Sequence, residues 1–74
     1  MWRLPILSWR DVVKVLVKSG LQPVRKNGSH SILVKNGYVV LVPKRKEVKR
    51  GLLLEIIAEA SMTKEQFIKL LNEL

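Results

Sequence analysis

The sequence holds a single histidine, His30, in the run Asn27-Gly28-Ser29-His30, with Arg25 and Lys26 immediately upstream. An imidazole ordinarily titrates at about pH 6.5, so it can take a proton near neutrality and give it back. A general base of that kind accelerates a reaction by roughly 10²–10⁴. The other residues suited to chemistry are cations. Lys44, Arg45, Lys46, Lys49 and Arg50 all fall within residues 43–50. Lysine and arginine neutralise backbone phosphates of a nucleic acid and stabilise charge that builds on a reacting phosphate. Each feature has a plainer reading. A histidine beside a turn is more often a polar surface residue than a catalyst, and a basic cluster can simply keep a small protein soluble. For the cations, phosphate contact is favoured, because hairpins would bring the Arg25-Lys26 cluster back toward the 44–50 connection.

Charge distribution supports that choice. Fourteen Lys and Arg against six Asp and Glu give the 74-residue chain a formal net charge of +8. Residues 1–50 carry twelve basic and two acidic side chains, whereas residues 51–74 carry two and four. The excess therefore surrounds His30, and a field of that sign attracts polyanions.

Other chemistries lack their residues. The absence of cysteine removes disulfides, thiolate metal sites and cysteine nucleophiles. Asp11 is the only aspartate, and one histidine cannot build a His-based metal site without carboxylates. Glu55, Glu59, Glu65 and Glu73 fall in helical stretches among lysines and read as solvated faces. No glycine-rich phosphate loop, carboxylate dyad or Ser-His-Asp set is present, so neither metal nor cofactor is expected. The aromatic residues are Trp2, Trp9, Tyr38 and Phe67; three suit a core or a sheet, which argues against a base-stacking platform. Residues 51–60 and 63–74 make a poor helix-turn-helix, since their net charge is negative. No uncharged stretch exceeds eight residues, as at 27–34 and 36–43. That is too short for a membrane span or a secretory signal, so a cytoplasmic location is expected.

The elements that must position these residues follow from periodicity and turn chemistry. Ser8 with Asp11 marks a helix start, and Trp9, Val12, Val13, Leu16 and Val17 form an apolar stripe that Gly20 ends. Residues 21–26, 29–35 and 38–42 read as strands joined at Asn27-Gly28 and Asn36-Gly37, the dipeptide that best suits a type I′ hairpin turn. Pro23 places the first strand at an edge. From Gly51 the chain is helical again, with Leu53, Ile56, Ile57 and Ala60 on one side. Thr63 with Gln66 forms a capping box before Phe67, Leu70, Leu71 and Leu74. The expected fold is α+β, α-β-β-β-α(α), one domain over 1–74 with helices packed on one face of a three-stranded antiparallel sheet. Ile32, Leu33 and Val34, then Val39 to Val42, are apolar on both parities. A sheet covered on one side should alternate, so the second face is expected to meet a partner or a second copy.

This order of features resembles the HicA family, small mRNA-interferase toxins of bacterial and archaeal toxin–antitoxin pairs. The likeness runs through Leu4-Pro5-Ile6-Leu7-Ser8, Val12 to Gly20, Gly28-Ser29-His30 and the strand after it. It continues through Val42-Pro43 with its basic connection, Gly51-Leu52-Leu53, Ile56, Phe67 and Leu70-Leu71, and so spans nearly the whole chain. Many members carry His or Asn where this chain has Lys44-Arg45-Lys46, Thr where it has Leu52, and an aromatic residue where it has Leu21. The resemblance implies a fold like that of double-stranded RNA-binding domains and a metal-independent endoribonuclease in which His30 is the catalytic residue. It also implies a HicB-like antitoxin that covers the site, in a complex containing one or more copies of this chain. Arg25, Lys26, Gly28, Ser29, Lys44, Arg45, Lys46, Lys49 and Arg50 are the expected contacts to mRNA. The competing readings are a non-catalytic RNA-binding module of the same fold and a structural subunit that docks through its apolar sheet face.

Overall fold

A computed structural model describes residues 4–74, with the backbone alone for residues 25–27. Helix α1 (Trp9–Lys18) begins where Ser8, in extended conformation, accepts the Asp11 N–H on its hydroxyl at 3.3 Å. It ends at Ser19, and Gly20 follows with φ +111°. A Cβ on Gly20 would lie 3.0 Å from Lys35 Nζ, which donates to the Ser19 carbonyl at 3.1 Å. The positive φ favours glycine there, and a Cβ would also crowd the Lys35 side chain.

Three strands follow as a meander: β1 (Gln22–Asn27), β2 (His30–Lys35) and β3 (Tyr38–Pro43), paired antiparallel in the order β1-β2-β3. Pro23 lies on an edge strand as expected, and the register shifts between Pro23 and Arg25. The β2–β3 turn is the expected Asn36-Gly37 with positive φ at both residues, 48° and 88°. The β1–β2 turn differs. Asn27 pairs with His30, so the loop residues are Gly28 and Ser29 rather than Asn27 and Gly28, and Gly28 does not take a positive φ. Helix α2 (Arg50–Glu59) then leads through Ser61, itself at φ 58°, to α3 (Lys64–Asn72). Thr63 and Gln66 form the full capping box at the start of α3.

The helices cover one sheet face, giving the α+β order α-β-β-β-α-α. The core joins Val12, Val15 and Leu16 of α1 to Leu21, Leu33, Val40, Val42, Val48, Leu53, Ile56, Ile57 and Phe67. Burying each such side chain contributes about 1.5–3 kcal/mol. Two apolar stripes are turned relative to expectation. In α1 Val15 is buried while Val17 is exposed; in α3 Ile68 is buried while Leu74 is exposed. The stripe over α2 and Ala60 is as expected. The opposite sheet face is open: Val39 and Leu41 are 54% and 46% exposed, beside half-buried Ile32 and Val34. None of the helices among the described residues is long and apolar enough to cross a membrane.

Candidate functional site

The β1–β2 turn carries the only histidine. Gly28 and Ser29 are exposed, and His30 opens β2 opposite Pro43, half-buried. Strand alternation sets the direction of His30. Ser31 and Leu33 are buried against the helices, so His30, Ile32 and Val34 lie toward the open face. Ser29 Oγ lies 3.0 Å from His30 Nδ1. A hydroxyl at that nitrogen holds the ring and leaves Nε2 for chemistry, provided Nδ1 carries the proton.

The basic connection is held at three points, one of them this turn. Lys44 N–H donates to the Ser29 carbonyl at 2.9 Å, and the Arg45 carbonyl accepts the Trp9 N–H at 3.1 Å. Val48, fully buried, pairs with Leu7 through an isolated bridge in which Val48 N–H donates to the Leu7 carbonyl at 2.6 Å. Segment 4–8 and the start of α1 therefore hold the connection in place. Lys44 is half-buried; Arg45, Lys46, Lys49 and Arg50 are exposed. The connection adjoins the turn at the Lys44–Ser29 bond, on the β3 side of the sheet, while Arg25 and Lys26 belong to β1, two strands away. Arg25 and Lys26 stand opposite Ile32 and Ser31 in the ladder, but their side chains lie outside the described residues.

Lys49 and Arg50 occupy an unusual place. Lys49 is the N-cap of α2, with no side-chain cap bond, and the first turn holds no acidic residue. A helix N-terminus is already electropositive, so cations there add repulsion that a bound anion relieves.

Trp9 and Arg10, which are not among the expected contacts, lie beside Lys44. Arg10 Cζ and Lys44 Nζ lie 5.5 Å and 5.6 Å from the centroid of the Trp9 ring, within cation–π range. Trp9 had been expected only as part of the α1 stripe. Adjacency hints at the Arg10 contact, but nothing local signals Lys44, which is far away in sequence.

The remaining features lie elsewhere. A concavity of about 510 Å³, lined by Lys18, Lys35 and Lys69 among others, contains none of the expected site residues. The described residues include no group of three His, Cys, Asp or Glu side chains placed to hold a metal ion. In comparison with known families, residues 9–62 match the model described as the HicA toxin of bacterial toxin–antitoxin pairs. No curated protein matches the chain.

Proposed function

The chain belongs to the HicA toxin family of bacterial toxin–antitoxin pairs, and on that premise we propose that it is a metal-independent endoribonuclease acting on mRNA through His30. The observation that carries this reading is the Ser29–His30 pair at 3.0 Å, at the tip of a hairpin braced by a basic connection. RNA cleavage is what toxins of this family are known for, and this turn supplies the one imidazole with cations around it.

In the proposed reaction His30 Nε2 takes the proton of a ribose 2′-OH. The freed oxygen attacks the adjacent phosphorus as the bond from phosphorus to the 5′ oxygen breaks. Water or a neighbouring lysine gives a proton to the departing oxygen and His30 releases its own to solvent, leaving a 2′,3′-cyclic phosphate and a 5′-OH. Donation of Nδ1–H to Ser29 Oγ selects the tautomer whose Nε2 lone pair faces the reacting hydroxyl. Lys44, Arg45, Lys46, Lys49 and Arg50, with Arg25 and Lys26 from β1, hold the phosphate backbone. One domain carries the whole activity.

The same face accounts for the partner. A HicB-like antitoxin seated on the open sheet face would bury Val39 and Leu41 and reach across His30 at the end of β2.

The decisive measurement is RNA cleavage by purified protein in EDTA. His30→Ala is expected to lose at least the roughly 10²-fold that a general base supplies while still binding RNA, and the wild-type product should carry a cyclic phosphate. Undiminished cleavage by His30→Ala would falsify the mechanism. Binding without cleavage by the wild type would make the chain an RNA-binding module instead.

A further inference from the structure

We infer that Trp9 is a positioning residue, whose ring holds Lys44 and Arg10 as a two-cation clamp for an RNA phosphate next to the one that reacts. This rests on the reading above that RNA is bound at the Ser29-His30 end of the sheet.

The ring, the connection and the turn form one unit. Trp9 N–H fixes the Arg45 carbonyl, and the preceding residue, Lys44, donates its own N–H to the Ser29 carbonyl beside His30. Trp9 packs against the core but is only half-buried, so part of its ring is open to the two cations. Two side chains of like charge are gathered at its ring, at 5.5 Å and 5.6 Å from the centroid. The ring quadrupole attracts each cation, and a bound anion is attracted to both. A lysine on a free four-carbon stem loses much rotamer entropy when it grips a phosphate. The ring contact restrains Lys44 beforehand.

Geometry also separates the clamp from the reacting centre. Trp9 opens α1, on the helix-covered side of the sheet, while His30 alternates with buried Ser31 and Leu33 and so lies toward the open side. A strand of RNA crossing this end of the sheet meets both. The clamp therefore grips a flanking phosphate and governs substrate binding, leaving the chemical step to His30.

The experiment uses the full chain. In RNA cleavage, Trp9→Leu, which keeps apolar bulk but removes the ring, is expected to raise KM about three- to tenfold with kcat nearly unchanged. Trp9→Phe, which keeps a ring, restores most of the loss. Lys44→Met with Arg10→Met raises KM similarly, and adding Trp9→Leu to that pair changes little further. A second arm measures affinity for a fluorescent single-stranded RNA in the His30→Ala background, where cleavage plays no part. There Trp9→Leu should weaken binding by the same factor and make the logarithmic salt slope shallower by about 0.7 per lost phosphate contact. Thermal melts check folding; if Trp9→Leu does not fold, Trp9→Phe combined with the Lys44 and Arg10 variants decides. Losses that multiply in the combination, losses confined to kcat, or an unchanged KM and slope overturn the clamp. A wild type that fails to cleave while the affinity arm behaves as stated overturns the cleavage reading and leaves the clamp standing.

Discussion

At the scale of single residues, the site depends on a short contact between neighbours. Ser29 is exposed and its hydroxyl meets His30 Nδ1 at 3.0 Å, so removing it alters the ring's orientation without disturbing the core. Ser29→Ala is expected to lower kcat by roughly tenfold, a smaller loss than the roughly 10²–10⁴ of a missing general base. Single-turnover cleavage at saturating RNA is the measurement, and a rate equal to wild type would remove Ser29 from the mechanism. His30 was legible in the sequence because it is the only imidazole and sits beside a turn dipeptide. Trp9 was not: its partner Lys44 follows β3, distant in sequence, and periodicity reports only that Trp9 is apolar.

At the scale of elements, what was legible was local. Ser8 with Asp11, Thr63 with Gln66, and Asn36-Gly37 each involve atoms a few residues apart, so their chemistry can be read from the order of residues alone. The first hairpin was misplaced by one residue because its register is set by long-range partners. His30 pairs with Pro43, and Ser29 accepts the Lys44 N–H; together they close the loop at Gly28-Ser29. Helix α1 was turned for a similar reason. Val12, Val13, Val15, Leu16 and Val17 are all apolar, so the face that is buried is chosen by α3 and the sheet. Helix α2 carries a further consequence, since its cap position is a lysine with no cap bond. Lys49→Asp is expected to stabilise the protein by about 1 kcal/mol while weakening RNA binding. Urea denaturation and RNA titration check the two halves, and a fall in stability would show that Lys49 is not strained at that helix end.

At the scale of the molecule, a body of 34 × 26 × 20 Å divides its tasks between two sheet faces. One is filled by helices; the other remains apolar and open, with His30 at its end. The doubled apolar parity of β2 and β3 was visible in the sequence, and the structure shows the face uncovered, with Val39 and Leu41 among the exposed residues. Because they are exposed, charge there costs little in the free chain, within about 0.5 kcal/mol. Val39→Lys with Leu41→Asp is expected to weaken the proposed complex with a HicB-like antitoxin by more than about tenfold, the equivalent of 1.4 kcal/mol, and to leave the melting temperature nearly unchanged. Calorimetric titration of the purified pair provides the number; an unaltered affinity would place the antitoxin on another surface.

The Leu7–Val48 bridge joins the two ends of a long excursion that contains α1 and the whole sheet. Meander strands find each other early, since each lies beside its neighbour in the chain, whereas a pairing across so long a loop carries a larger closure entropy and forms late. The connection that bears Lys44, Arg45 and Lys46 is then expected to settle after the sheet during folding. On the proposed reading, the RNA-gripping surface is completed only as these segments dock, so that harmful capacity and completed fold arrive together.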